Sequence, residues 1–377
     1  MVTLCLRKLT YKDKEQMQNS RVDIFDGIRG WGAIMVLLSH LCGTIPHMTF
    51  LRKTPLAVAT DGFLAVYIFF ILSGIVLSLS YFKYNDLICI ASLLIKRLPR
   101  LAIPIFASSC FVYFIMVCHL MYNKNINNSW LSEFYSFNAS IIDALKFSFF
   151  GVFFNYVNAL SYNVVLWTMS IELYGSMLVA LVLLCLSYTR FKLSGLIMVF
   201  LILFVAAETP SGENPSAQSV MYSSLACFSV GIIICYMYIN KKEVFSWLSN
   251  RNVKIFLFVI FLLIYKVVSL DRCNVIAAAI IVLLPFMFTG VQSFLVSGVS
   301  RFLGKISFPL YIVHFPILCS FTSYMLLHYG NSYSALGAIT LASIALSIFT
   351  AFLLLPVERF SIRISRRVAD YVLVQRQ

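Results

Sequence analysis

The chain of 377 residues is 60% hydrophobic and only 12% charged, with a formal net charge of +14. A soluble domain averages roughly 45–50% apolar and about 25% charged residues, because a surface in water needs polar cover. The composition therefore excludes a soluble enzyme, a coiled coil, a disordered regulator and a secreted disulfide scaffold. It predicts a polytopic membrane protein with an all-α fold.

The excess of basic residues and the cysteines both have ordinary explanations in such a protein. Lysine and arginine flank membrane spans on the cytoplasmic side, so the positive charge favours a topology signal over nucleic-acid binding. The ten cysteines are scattered and form no CxxC pair. We therefore interpret them as small buried hydrophobic residues rather than as metal ligands or a disulfide framework.

Apolar stretches predict a bundle of about ten transmembrane helices. A hydrocarbon core of about 30 Å requires about 20 mostly apolar residues per helix. The predicted spans cover residues 28–46, 62–82, 101–121, 164–187, 191–207, 221–239, 255–270, 275–292, 307–327 and 334–356. A further stretch, 144–158, is rich in phenylalanine but interrupted by asparagine, which favours an interfacial or re-entrant segment.

The distribution of basic residues predicts the orientation of the bundle. Lysine and arginine concentrate in alternate connecting segments, starting with the N-terminal one, which places both termini in the cytoplasm. The expected organisation is a cytoplasmic tail over 1–27 without a cleavable signal, a transmembrane domain over 28–356 and a basic cytoplasmic tail over 357–377. The longest loop, about 122–163, then faces outward, either as a surface for an external partner or as a simple connector.

Four ionisable residues stand out inside predicted spans, where charge is costly and a function is the default hypothesis. They are His40, Glu172, Lys266 and His314. Lys266 can extend its long side chain to the interface, so it is interpreted as structural. A single buried histidine is usually a satisfied hydrogen-bonding group. Two histidines and a glutamate on separate spans instead favour a polar site in the interior of the bundle.

Basic residues at the predicted cytoplasmic edge suggest an anion site. Arg29 lies eleven residues before His40, three helical turns or about 16 Å along one face. Arg97 and Arg100 open the third span as a second basic cluster, for which topology-setting anchorage is the alternative. A guanidinium binds phosphate well and a histidine handles protons near neutral pH. These patterns fit an acyl or phosphoryl transferase and an anion-coupled transporter equally, and no P-loop, HExxH or GxSxG motif is present.

Five segments carry more specific motifs, in a fixed order along the chain. They are RVDIFDGIRGWGAIMVLLSH (21–40), FFILSGIVLS (69–78), KRLPRLAIP (96–104), LWTMSIELYG (166–175) and LGKISFPLYIVHFPI (303–317). Together they resemble the motifs of the membrane acyltransferase 3 family, whose members O-acylate cell-surface polysaccharides.

The resemblance implies a reaction and its partners. The donor would be acyl-CoA, most often acetyl-CoA, bound as a co-substrate on the cytoplasmic side without a metal. The acceptor would be a sugar hydroxyl on a lipid-linked or nascent glycan, as in O-antigen, capsule or exopolysaccharide. We expect a multi-pass enzyme of a bacterial inner membrane that contacts membrane lipids and no nucleic acid. A transporter or flippase for an anionic or lipid-linked solute is the alternative.

The family motifs also suggest catalytic residues. Acyl transfer from a thioester to a hydroxyl requires a base, and His40 is expected to take the proton. Glu172 or Asp61 would orient His40 or relay its proton. Both a transient acyl-His40 and direct transfer are compatible with the sequence.

The remaining expected site residues bind the donor or the acceptor, and Asp61 is also expected on the acceptor side. Arg29, Arg97 and Arg100 are expected to hold the phosphates of CoA. Tyr311 and His314 lie three residues apart and share a helix face. For them an acceptor contact and a structural hydrogen bond are equally open.

Overall fold

The fold is helical, as predicted. A computed structural model describes residues 11–45, 48–126, 128–207, 216–267 and 271–374, and every regular element in these ranges is a helix. The first ten residues of the predicted N-terminal tail and the last three of the C-terminal tail lie outside the described residues.

Seventeen α-helices follow one another in the described chain. They are α1 (Tyr11–Thr44), α2 (Gly62–Tyr84), α3 (Ile88–Val117), α4 (Ser129–Ser132), α5 (Ile141–Lys146), α6 (Val152–Phe154), α7 (Thr168–Ser187), α8 (Lys192–Ala206), α9 (Ala217–Asn240), α10 (Lys242–Leu248), α11 (Arg251–Val267), α12 (Asp271–Met287), α13 (Thr289–Leu295), α14 (Gly298–Ile317), α15 (Ser323–Tyr329), α16 (Tyr333–Leu353) and α17 (Leu355–Val374). Short 3-10 turns and two π-helical turns, Phe147–Gly151 and Leu318–Thr322, connect some of them.

Every one of the ten predicted spans overlaps a helix, but fewer helices meet the requirements for crossing a membrane. In the described chain, six helical segments are long and apolar enough, and a seventh joins them if the pair α12–α13, bent by 98°, is one span. Helix α8 has only 15 residues. Helix α1 is long enough but carries Arg29 and His40 in its apolar part.

Helices α1 and α14 run parallel and in register. Gly30 of α1 faces Gly304 of α14, so closely that a Cβ on Gly30 would lie 2.5 Å from the Gly304 nitrogen. Ten residues further along each helix, His40 contacts His314. Small residues allow helix backbones to approach in this way. The glycine contact therefore fixes which residues of the two helices meet further along.

Proline leaves one carbonyl of α14 without its helical donor, and two neighbouring side chains supply the missing hydrogen bonds. Pro316 has no N–H to give to the Ile312 carbonyl. Asn163 Nδ2 donates to that carbonyl at 2.6 Å and Ser108 Oγ at 3.1 Å. The Asn163 amide also donates to Ser108 Oγ at 2.8 Å. This buried network ties α14 to α3 and to the segment before α7, as is required where water cannot reach the backbone.

The basic segment predicted as a C-terminal tail is a helix packed on the bundle. Helix α17 lies against α3. Its buried face carries Leu355, Ser361, Ser365 and Ala369, and the last three recur every four residues, about once per turn. The C-terminal segment is therefore part of the helix bundle.

Candidate active site

A cavity lies between α1, α2, α3, α7, α14 and α17. It encloses about 970 Å³ with its open mouth included. Charged side chains on its wall are Arg29, Arg97, Arg100, Glu172 and Glu358, among aromatic and aliphatic residues. The structure thus brings the three expected phosphate-binding arginines into one cavity, together with Glu172.

Glu172 is held at the wall of this cavity by two other helices. Arg97 Nη2 of α3 donates to Glu172 Oε2 in a close ion pair, and Ser73 Oγ of α2 donates to Oε1 at 2.8 Å. Arg97 and Glu172 are both 9% exposed. In the described part of the chain Arg97 Nε has no acceptor. The pair is therefore charge-balanced but leaves one buried donor beside the cavity.

Tyr311 closes the cavity toward the second half of α14. Its hydroxyl donates to the Val165 carbonyl at 2.7 Å and lies 2.9 Å from Thr168 Oγ1. These bonds fix the ring at the start of α7. The centroid of the Tyr311 ring is 6.1 Å from that of His314, so the cavity wall adjoins the histidine pair.

His40 and His314 form a hydrogen-bonded pair whose tautomers follow from one carbonyl. His40 Nδ1 is 2.8 Å from His314 Nε2, and His314 Nδ1 is 3.0 Å from the Leu310 carbonyl. A carbonyl can only accept, so a neutral His314 carries its proton on Nδ1. Its Nε2 then accepts from His40 Nδ1–H. The lone pair of a neutral His40 is therefore on Nε2, where it can act as a base.

The long loop over 122–163 folds against this pair. Trp130 of α4 stacks on the His40 ring with centroids 5.9 Å apart and planes 17° from parallel. Asn128 Nδ2 anchors the same loop by donating to the Gly43 carbonyl at 2.8 Å. The Phe315 ring meets His40 edge-on at 5.4 Å. His40 thus lies in an aromatic setting and is half-buried, whereas His314 is fully buried.

The two carboxylates considered as partners of His40 have other partners in the structure. Glu172 binds Arg97 and Ser73, and the ring of His40 binds His314 instead. Asp61 Oδ1 caps α2 by accepting from the Leu64 N–H at 2.9 Å. Burial raises the pKa of the Asp61 carboxyl above its ordinary value. Their roles toward the histidine stay predictions.

Three neighbours of the site were missed by the sequence analysis. Glu358 and Ser361 of α17 line the cavity, and Trp130 covers His40. Glu358 belongs to a segment whose arginines suggested a tail, and Trp130 belongs to a loop without a recognisable motif. Within the described ranges, no group of three or more histidine, cysteine or acidic residues is placed to hold a metal ion.

Apolar helices around a charged cavity and an interior histidine pair are typical of a multi-pass membrane protein with an internal site. The family model of an acyltransferase domain matches residues 22–355. The chain therefore belongs to the acyltransferase 3 family and is a membrane acyltransferase. No curated protein and no solved structure matches the chain significantly.

Gly304→Ala is expected to lower acyltransferase activity at least about tenfold, a change in barrier of about 1.4 kcal/mol. A Cβ at this position would lie 2.5 Å from the Asp26 carbonyl oxygen, so α1 and α14 would have to separate and the histidine pair would lose its spacing. Alanine is the better helix former by roughly 0.5–1 kcal/mol, so intrinsic propensity opposes this loss. The measurement is initial rate per folded protein in detergent.

The matched control is Gly337→Ala in α16, where nothing lies within 4 Å of the added Cβ. It should keep wild-type activity. Equal activity of the Gly304→Ala and Gly337→Ala proteins would contradict the role of the glycine contact.

Proposed function

We propose that the protein transfers an acyl group, most simply acetyl, from acyl-CoA to a sugar hydroxyl of a cell-surface polysaccharide such as O-antigen, capsule or exopolysaccharide. One observation carries the proposal: a cavity with three arginines adjoins a histidine pair whose geometry leaves a lone pair on His40. Membership of the acyltransferase 3 family supports the reaction class.

The arginine-lined cavity is proposed to receive the donor. Arg29 and Arg100 are half-buried and can form bidentate bonds to the phosphates of CoA. Arg29 is only loosely paired with Asp26, at 3.7 Å, which leaves it available to a ligand. Arg97 is committed to Glu172 and adds one donor from Nε. The aromatic and aliphatic remainder of the wall suits the less polar pantetheine arm.

His40 is proposed as the general base. Its Nε2 takes the proton of the sugar hydroxyl while the hydroxyl oxygen forms a bond to the thioester carbonyl carbon. The carbon–sulfur bond then breaks, CoA leaves as the thiolate, and the proton on His40 returns to sulfur or to solvent. His314 is proposed as a positioning residue, because Leu310 fixes its tautomer and both of its ring nitrogens are engaged.

The position of His40 allows two routes for the acyl group. His40 is not among the described residues that line the cavity, and the Tyr311 and His314 rings lie between them. In both routes the thioester reaches past Tyr311. In direct transfer the sugar hydroxyl attacks it with His40 as base. In the covalent route His40 Nε2 attacks the thioester carbon, CoA leaves as the thiolate, and the acyl group then passes from Nε2 to the hydroxyl oxygen, whose proton goes to solvent. Acyl transfer to Tyr311 itself is disfavoured because its hydroxyl is bound to Val165 and Thr168.

We further propose ten membrane spans with both termini in the cytoplasm of a bacterium, and a lipid-linked or nascent glycan as acceptor. In a ten-span arrangement the first and ninth spans point in the same direction. The parallel pairing of α1 with α14, which hold these two spans, supports that alternation. Acyl-CoA would then enter the arginine cavity from the cytoplasm, and His40 would lie toward the outer side.

In membranes that contain the wild-type protein, label from acetyl-CoA should appear in a lipid-linked glycan fraction. The Arg29→Gln variant should show a KM for acetyl-CoA that is raised roughly tenfold. One lost charge-assisted bond of about 1.5–3 kcal/mol accounts for a change of this size. The effect should shrink with dephospho-acetyl-CoA if Arg29 binds the phosphate that this donor lacks. The measurement is the rate of labelling against donor concentration.

The control variant is Arg190→Gln, an exposed arginine between α7 and α8. Its KM should equal that of the wild type. If the wild-type protein consumed no acyl-CoA in membranes that hold a competent glycan, the result would contradict the proposal and favour a transporter or flippase.

A further inference from the structure

Helix α17 has three distinct faces over its length. One face is buried against α3 and the cavity and carries Leu355, Glu358, Ser361, Ser365 and Ala369. The other two are exposed, and they differ in chemistry. At 3.6 residues per turn, each exposed face remains on its own side of the helix for about three turns.

The first exposed face is a stripe of arginines. It consists of Arg359, Arg363, Arg366 and Arg367, all exposed, at spacings of four, three and one residues. These spacings place the four guanidinium groups on about one third of the helix circumference. Asp370 is the acidic residue in the same stripe, so the stripe keeps a clear positive excess.

The second exposed face is apolar and lies directly beside the arginine stripe. It presents Phe360 at 48%, Val368 at 38% and Tyr371 at 67% exposure. A helix that follows a membrane span, with neighbouring apolar and arginine-rich faces and a third face held by protein, suits the surface of a leaflet, where acyl chains meet head groups. The Tyr371 ring would lie at head-group depth, where tyrosine is enriched, and the Phe360 ring would face the acyl chains.

We propose that the arginine stripe of α17, which runs on from α16 within one helical segment over Tyr333–Leu373, binds the phosphates of anionic phospholipids at the membrane surface. The guanidinium fork matches a phosphate diester, and the apolar face orients the stripe toward the head groups of the same leaflet. A lipid surface satisfies both exposed faces at once, whereas free phosphate would satisfy only the arginines. The occupant is therefore an anionic phospholipid. This inference does not depend on the reaction that the protein catalyses.

The test compares thermal unfolding of the full-length protein in vesicles of phosphatidylcholine alone and of phosphatidylcholine mixed with phosphatidylglycerol. Phosphatidylglycerol should raise the Tm of the wild type. The concentration of phosphatidylglycerol that gives the same rise should be about tenfold higher for the Arg363→Gln/Arg367→Gln variant, because each basic residue near the surface adds attraction. The control Arg190→Gln/Arg251→Gln removes the same charge from exposed sites elsewhere. It should respond as the wild type does.

Two further arms separate the lipid from simpler explanations. Added salt should weaken the phosphatidylglycerol effect on the wild type, because it screens exposed charges. Inorganic phosphate should not reproduce the rise in Tm. An equal response of the stripe variant and the wild type, or an equal Tm in the two kinds of vesicle, would overturn the proposal. If the double variant unfolds early in neutral vesicles, the single Arg363→Gln variant replaces it in the same comparison.

Discussion

His40→Ala protein is expected to insert and fold normally yet to lose acyl transfer by a factor of at least about 100. General base catalysis contributes typically 10²–10⁴-fold, and the alanine has no group to take the hydroxyl proton. Its cost to folding is about 1–3 kcal/mol, because the Nε2 of the fully buried His314 loses its donor. The measurement is labelled acyl transfer per folded protein, with Tm recorded on the same sample.

His314 supplies the control that separates a base from a structural histidine. In His314→Gln the amide oxygen can still accept from His40 Nδ1–H, so this variant should keep more activity than His314→Leu, which has no acceptor. The pH profile should shift in the His314 variants because the neighbour of the base has changed. Full activity of a well-folded His40→Ala protein would remove the assignment of the base.

Glu172→Leu is expected to destabilise the protein by about 3–5 kcal/mol and to abolish activity. The change leaves the Arg97 guanidinium buried without its counter-ion, and breaking a buried ion pair from one side carries a cost of this size. Ser73 also loses its acceptor. The Tm in detergent and the yield of folded protein measure the first effect, and acyl transfer measures the second.

A double variant shows whether the pair serves the fold or the reaction. Arg97→Met/Glu172→Leu removes both charges and should recover most of the lost stability, since replacing a whole buried pair by apolar groups is often neutral. Its activity should stay low because the cavity has lost Arg97. The milder Ser73→Ala should cost about 1 kcal/mol. If the single and double variants had the same Tm, the ion pair would not be the reason for the loss.

The chemistry of the site is visible in the sequence because charge inside an apolar span is rare and stands out. His40, Glu172 and His314 were recognisable on that ground alone, and their motifs placed them in a family. Helix periodicity states which face a residue occupies but not which helix lies against that face. The contact between His40 and His314, which are 274 residues apart, therefore needed the structure. So did the binding of Glu172 by Arg97 rather than by a histidine.

The role of α17 shows a different limit of sequence reasoning. Its arginines dominate the composition of residues 357–377 and suggested a solvated tail. The small residues Ser361, Ser365 and Ala369 recur every four positions, a pattern typical of close helix packing. That pattern is short and is outweighed by the charges around it. Glu358 was overlooked for the same reason.

The parallel pairing of α1 and α14 has a consequence for how the sequence can change over time. Ten residues separate Gly30 from His40, and ten separate Gly304 from His314. The two intervals must have equal lengths for the rings to meet, because each helical residue rotates the side-chain direction by about 100° and advances it by 1.5 Å. An insertion in one interval alone would turn one ring away from the other. The lengths of two segments at opposite ends of the gene are thus tied to each other, even where their other residues are free to vary.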